Sequence, residues 1–582
     1  MVSHEGGGVA RAASASAGQN ASLPPGLGAR RGGLAALLFT SLSLATYGGS
    51  VLLHLGTRCV GTCTSDPKLY LWALNWTPYA LSHHLSVFST DLLWLPSRLN
   101  LAWVTTLPGP GLLMAPITDH FGPLVSENLL MLAAPSLAAW AAYLACGRVT
   151  RRFWPSIGGG LLFGWCTYLE QHMRGQLNLV LIFCAPLAVY LVIRHFEGSI
   201  GKGAFVVWLS AVLAGQLSIS TEPFATMTLF GGIALLCLLI AGPSERRRQV
   251  LGTIGLIAAA YCLAALLASP LLISALANVP VRTLRPAAKN SVDLLSFFVP
   301  RRTMAVGGSV FGSLTDRFSS IRYDDGAYIG PAAVLLLALF AWNERKARST
   351  WLVLGFIGAV AVLALGPSLH IAGHPTIPMP EALITRAPLL GEVLPNRFPE
   401  YLSLAVAFVG AIWLARGSGW GRWWRWALVI GMLVTVIPLR PSGTFHTTMQ
   451  EPSFFTEGTW AKYLTPGEAV LSIPAQAGDE LVWQVDAHMG FALVRAYVGP
   501  SHPSGPGYLP PLVSEAGQAL PDPALYAESL SVHHVGAVIV AAPVPLVLSA
   551  FLLSVTRVVP TTIGGVAVYR LPGASPLPRR SG

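Results

Sequence analysis

The sequence predicts an α-helical polytopic membrane protein of about eleven transmembrane helices, followed after residue 440 by an extracytoplasmic α/β domain. Three observations lead there. Of the 582 residues, 53% are hydrophobic and only 11% are charged. Apolar runs near the roughly 20 residues that cross a bilayer recur from Arg31 to Arg440. Lys and Arg fall almost entirely in every second gap between those runs. A soluble chain could not cover so much apolar surface. The net charge of +11 sits in short clusters beside apolar segments and forms no basic helix or domain, which argues for anchoring and against nucleic acid.

Residues 1–31, rich in Gly, Ala and Ser, have little to fold around and read as a disordered cytoplasmic tail. The run 34–55 is too long for the apolar part of a cleavable signal peptide, and further runs follow it, so it reads as the first span. The other spans of the region 32–440 are expected near 124–146, 157–168, 177–193, 204–219, 224–241, 250–272, 327–342, 351–365, 401–415 and 426–439. The gaps holding Arg148/Arg151/Arg152, Arg194/Lys202, Arg246/Arg247/Arg248, Arg345/Lys346/Arg348 and Arg416/Arg422/Arg425 are cytoplasmic by the positive-inside rule. The N-terminus is then cytoplasmic. Segments 56–123, 169–176, 220–223, 273–326, 366–400 and 441–582 face the other side. The apolar stretch 104–118 is broken by Pro108, Pro110 and Pro116 and reads as re-entrant or membrane-surface, since a full crossing there would put all five basic gaps outside.

Cys146, Cys166, Cys184, Cys237 and Cys262 lie in or at the ends of apolar runs, where a thiol serves as a small packed residue. Cys59 and Cys63 share an outer loop. Gly61 between them can supply the turn that a small disulfide needs, and the absence of a second Cys or His pair nearby disfavours a metal. After Arg440, short β-type runs at 469–474, 535–541 and 565–571 and a helical stretch at 523–530 form a small α/β domain without a nucleotide-binding glycine motif. His533 and His534 point opposite ways if on a strand, and read as a turn and a packed imidazole rather than metal ligands.

The first outer loop is the richest in chemistry: Ser65-Asp66-Pro67, Trp72, Asn75-Trp76, His83-His84, Asp91, Pro96, Asn100, Pro108-Gly109-Pro110-Gly111 and Asp119. Residues 69–85 suit a helix along the interface, with Trp72, Trp76 and Tyr79 at headgroup depth and Asp66 at the membrane surface. An aspartate shortly after the first span, a Trp-bearing stretch, a Pro/Asn segment, a Pro-Gly stretch and a span opening with Glu127-Asn128-Leu129 together resemble the GT-C superfamily of polytopic glycosyltransferases. Asp293-Leu294-Leu295 with Phe297-Phe298-Val299-Pro300, Tyr328-Ile329-Gly330, Leu365-Gly366, Pro378-Met379-Pro380 and Pro395-Asn396-Arg397-Phe398-Pro399 extend the likeness to uncharacterised bacterial members over most of the chain. Pro96-Ser97-Arg98-Leu99-Asn100 departs from the Pro-x-Gly-x-Asn pattern of that resemblance.

The resemblance implies a polyprenyl-phosphate-linked sugar as donor, an envelope glycan, lipid or protein as acceptor, and inverting transfer on the outer face of a bacterial cytoplasmic (inner) membrane. Asp66 is the candidate base, placed to accept the acceptor's hydroxyl proton; an Asx turn or helix cap before Pro67 is the competing role. Asp119 and Glu127 are further carboxylates that would equally cap the helix starting near Leu124. The short hairpin bearing Glu170, Gln171, His172 and Arg174 suits sugar hydroxyls or phosphate, with Arg174 or His172 as the cation; headgroup-level solvation is the alternative. Glu222, confined in a turn between spans, is a functional candidate or the first acid of the next helix. Arg386 and Arg397 are cations on the outer face, and Arg397, restricted by Pro395 and Pro399, is preferred for phosphate.

The loop 273–326 is unusually basic through Arg282, Arg285, Lys289, Arg301, Arg302, Arg317 and Arg322, with Asp293, Asp316, Asp324 and Asp325 available to pair with them. Spacing assigns no metal ligands, and a divalent metal remains an open alternative. Two other function classes compete: a transporter or flippase for a lipid-linked glycan, which calls for ionisable residues within spans and an internal repeat, and a non-catalytic assembly protein.

Overall fold

The computed structural model describes residues 25–241, 244–277, 279, 287–319, 326–384, 391, 393–418, 421–437, 446–473, 477–499, 503, 509 and 520–572. Arg282, Arg285, Arg322, Asp324, Asp325 and Arg386 lie outside them, as do all but the last residues of the N-terminal tail. Among the described residues seven helices are long and apolar enough to cross a membrane: Arg30–Leu53, Pro123–Thr150, Leu177–Phe196, Lys202–Ile219, Thr221–Ile240, Arg247–Leu267 and Pro395–Ala415. The remaining expected spans are shorter helices, Phe153–Gly164, Gly330–Asn343, Arg348–Ala364 and Gly421–Thr435. Large apolar side chains such as Leu37, Trp208, Ile240, Leu266 and Trp342 stand exposed on the flanks of these helices. Faces of that kind suit hydrocarbon surroundings.

Basic gaps far apart in sequence meet at one end of the bundle. Arg148 Nε donates to Glu197 at 2.8 Å, Arg152 Nη1 donates to the Ala415 carbonyl at 2.5 Å, and Arg416 pairs with Glu344. Four of the basic gaps are thus joined to one another or to neighbouring helix ends. The stretch 104–118 becomes the helix Pro108–Phe121, 14 residues long with Pro116 inside it, about 21 Å at 1.5 Å per residue. It packs on the helix Asp66–Ser82, where a Cβ on Gly111 would lie 2.5 Å from Thr77 Oγ1.

After the bundle comes a five-stranded sheet in the order Ala492–Leu493, Ala469–Ile473, Ala537–Ala541, Val566–Arg570, Thr561–Ile563. The first three strands are parallel and the last two join antiparallel. The parallel strands are buried along most of their length, which is why they read as continuous apolar runs without alternation. His533 packs against its own helix through the Ser529 carbonyl at 2.7 Å, and His534 takes φ 51° in the turn that follows.

This sheet shares its core with the segment 56–123. Trp72 and Trp76, expected at headgroup depth, are instead 0% and 1% exposed. They stack on each other with centroids 5.2 Å apart and join Leu471, Trp483 and Leu493 in one apolar cluster. Trp72 Nε1 donates to Gln484 Oε1 at 2.6 Å, while Gln484 Nε2 donates to the Leu92 and Phe491 carbonyls. The aromatic face of the Asp66–Ser82 helix therefore meets protein where lipid was expected. A buried indole N–H needs an acceptor, and the sheet domain supplies it.

Candidate active site

Asp66 opens the helix Asp66–Ser82 after Ser65 at φ 61°, with Pro67 in the first turn. Proline suits that position because its missing N–H is not needed there. The Asp66 carboxylate is half-buried and accepts a 2.6 Å hydrogen bond from the Tyr497 hydroxyl of the sheet domain. Two residues on, Lys68 is buried and pairs with Asp479 and, at 3.7 Å, with Glu451. Cys59 and Cys63 are joined by a disulfide with Cα atoms 5.9 Å apart.

The disulfide loop and the hairpin around Arg174 interlock backbone to backbone. The Arg174 carbonyl accepts from the Thr62 N–H and the Thr62 hydroxyl, each at 2.9 Å. A Cβ on Gly61 would lie 2.5 Å from the Arg174 carbonyl carbon, and one on Gly175 would lie 2.6 Å from Pro67 Cγ. Both glycines have positive φ, so a side chain at either would be strained as well as crowded. The Tyr70 hydroxyl adds a 2.7 Å bond to Asn178 Oδ1. The Asp66 turn is thus seated on the hairpin.

Beneath it lies a buried polar cluster. Arg397, 3% exposed, sits in a short turn at Pro395–Arg397 before the helix Pro399–Ala415. Its Nη1 donates to His172 Nε2 at 2.9 Å, and its Nε lies 3.6 Å from Glu222 Oε1. Arginine is only a donor, so His172 Nε2 must accept, and Nδ1 carries the proton it gives to the Tyr168 carbonyl at 2.6 Å. His172 is therefore the neutral imidazole in this network, not the cation that the hairpin suggested. Glu222 also accepts from the Leu394 N–H at 3.2 Å, and Glu170 accepts from the Tyr47 hydroxyl at 2.5 Å.

The structure brings together His172, Glu222 and Arg397, with the Arg174 backbone at the contact to the Asp66 turn, while Glu170 on the same short helix as His172 bonds to Tyr47. Asp119 stays apart, exposed near the end of the helix Pro108–Phe121. Glu127 is buried in the first turns of Pro123–Thr150; its neighbour Asn128 ties the first loop down by accepting from Val60 N–H and donating to the Leu55 and Arg58 carbonyls. In the basic loop, Arg301 is buried over the Phe318 ring and Arg302 pairs with Asp316 at 2.8 Å. Asp293 is a structural acceptor for the Leu295, Ala372 and Gly373 N–H groups. At the unusual Pro96–Asn100 segment, Asn100 donates to the Ser274 carbonyl and accepts from Ala102 N–H.

Sequence reading missed Tyr47, Tyr497, Lys68 and Glu400. Glu400 is 2% exposed at the start of its span, and a carboxylate one residue after a proline that opens an apolar run is the signal that could have found it. Tyr47, Tyr497 and Lys68 meet the site through partners more than 100 residues away in sequence. A small apolar depression with a cavity volume of about 30 Å³ lies among Leu162, Tyr328, Val406, Met432 and Val436 and touches Cys166, Thr167 and Ser403. Thr167 opens the short helix that bears Glu170 and His172. Among the described residues no group of three or more His, Cys, Asp or Glu could hold a metal ion.

The overall fold matches the arabinofuranosyltransferase AftD from Mycobacteria with a TM-score of 0.53 at 13% identity, over 93% of this chain and 40% of that one. A variant of the same enzyme matches with a TM-score of 0.50 at 13% identity, over 93% and 41%. The oligosaccharyltransferase of Archaeoglobus fulgidus gives 0.48 at 11% identity, over 88% and 69%. The chain spans about two fifths of the length of the arabinofuranosyltransferase it matches. This likeness shows the GT-C fold. A family model described as a domain of unknown function, DUF6311, matches residues 36–390. Comparison with curated proteins by sequence gives no match.

Proposed function

Because the chain belongs to the DUF6311 family and has the GT-C fold, we propose that it is a membrane glycosyltransferase taking a sugar from a polyprenyl-phosphate donor. The acceptor is an envelope glycan, lipid or protein, met on the outer face of the bacterial inner membrane. In this reading eleven helices cross the bilayer, and the sheet domain faces the same side as Asp66. One observation carries it: the turn that bears the partly buried Asp66 is seated on a hairpin whose buried base holds the Arg397 guanidinium.

The acceptor hydroxyl oxygen attacks the anomeric carbon from the face opposite the phosphate, so the configuration inverts. The bond from that carbon to the phosphate oxygen breaks and its electron pair leaves with polyprenyl phosphate. Asp66 takes the hydroxyl proton and later releases it to water. Arg397 and the half-buried Arg174 are assigned to the charge gained by the leaving phosphate. Transporter chemistry fits less well, since the buried acids Glu127 and Glu400 lie in the first turns of their helices and not at mid-membrane.

The test uses full-length protein in lipid nanodiscs and a panel of polyprenyl-phosphate arabinofuranose, mannose and glucose. Mass spectrometry follows the release of polyprenyl phosphate in the presence of envelope lipid and glycan extracts. Release with at least one donor, lost in Asp66→Asn, is expected. Release that is unaltered in Asp66→Asn removes Asp66 from the mechanism.

A further inference from the structure

We infer that Tyr497, contributed by the sheet domain, is a positioning residue of this active site: its hydroxyl aims the Asp66 carboxylate, so the base is set only while that domain is docked on the loop. The inference rests on Asp66 being the base.

A carboxylate at the first position of a helix can adopt several rotamers, and a base misplaced by about 1 Å can lose on the order of 100-fold in rate. The Tyr497 hydroxyl donates to Asp66 Oδ1 at 2.6 Å across 431 residues of sequence. Among the described residues no other side chain bonds to that carboxylate. One oxygen is thereby fixed, and the half-exposed group keeps the other for an acceptor hydroxyl.

Tyr497 is itself held by the same segment that braces the Asp66 turn. Its N–H donates to Glu480 Oε1 at 2.7 Å, and Glu480 is fully buried in the helix Asp479–Asp486. Just before this helix, the Ala477 carbonyl accepts from the Ser65 N–H at 2.8 Å. The first residue of the helix, Asp479, pairs with Lys68. Residues 65, 66 and 68 are therefore each bonded to the sheet domain, two of them through residues 477–480 directly and Asp66 through a tyrosine anchored on Glu480. An ordinary interdomain contact would not need to end on the one carboxylate assigned to proton transfer.

The experiment compares wild type, Tyr497→Phe and Asp66→Asn as full-length proteins in nanodiscs, using whichever polyprenyl-phosphate sugar of the panel is turned over. Phe keeps the ring and removes only the hydroxyl. The expected result is a kcat lowered by about tenfold in Tyr497→Phe with the donor KM unchanged. An unchanged kcat in Tyr497→Phe, alongside a dead Asp66→Asn, overturns this inference alone. A lowered thermal midpoint with kcat per folded molecule unaltered overturns it too, since that is the mark of a purely structural bond. Full activity in Asp66→Asn overturns the assignment of the base first.

Discussion

Asp66 and Arg397 belong to one candidate site yet live under opposite conditions. Asp66 is partly buried, and among the described residues its carboxylate has one side-chain partner, which comes from another domain. Arg397 is 3% exposed and wedged between His172 and Glu222 of two other segments. A charge buried that deeply survives only because its partners are fixed, so removing a partner costs stability. A half-exposed carboxylate can be changed with little effect on folding, and its loss is felt in chemistry. The contrast separates a group that reacts from a group that holds charge in place.

The sharpest break of this contrast is in turnover. Asp66→Asn is expected to lower it by roughly 10²- to 10⁴-fold, the usual worth of a general base, with the thermal midpoint unchanged. Arg397→Ala should do the reverse first: it removes the guanidinium packed between Glu222 and His172 and costs about 3–5 kcal/mol, read as a fall in the midpoint of nanodisc-embedded protein. A wild-type midpoint in that variant would show that the guanidinium is not structurally required.

Smaller effects probe how firmly the sheet domain holds the loop. Trp72→Phe leaves Gln484 Oε1 without its donor and should cost about 1–3 kcal/mol, seen as faster proteolysis between the bundle and the sheet. Cys59→Ser opens the small loop that presents Thr62 to Arg174, with an expected loss of about 2 kcal/mol measurable under non-reducing conditions.

Acidity should act on the same junction. Burial pushes Glu451 up to about 7 against the opposing pull of Lys68, and burial likewise raises Glu480 to about 7 and Asp486 to about 6. The folded state then binds more protons than the unfolded chain between the ordinary carboxylate range and those values. The contribution of these acids to the stability of the sheet domain is thus complete below the ordinary carboxylate range and is lost as pH rises to about 7. Tryptophan fluorescence melts at pH 5 and 8 measure it, and equal midpoints would contradict the burial of these acids.

Hydropathy and charge placement in the chain were enough for the helices of the bundle, because crossing a bilayer is a property of about 20 consecutive residues and needs no partner. The strands Ala469–Ile473, Ala537–Ala541 and Val566–Arg570 were equally readable as short β-branched runs between turns. Asp66, Glu170, His172, Arg174, Glu222 and Arg397 could be nominated as polar groups in short loops between apolar runs. Their roles could not be assigned that way. The neutral state of His172 depends on Arg397, 225 residues on, and Trp72 leaves the interface only because Gln484, 412 residues on, offers a dry acceptor. Periodicity and composition are local quantities, whereas a hydrogen-bond partner is chosen by packing, and packing exists only once distant segments share a core.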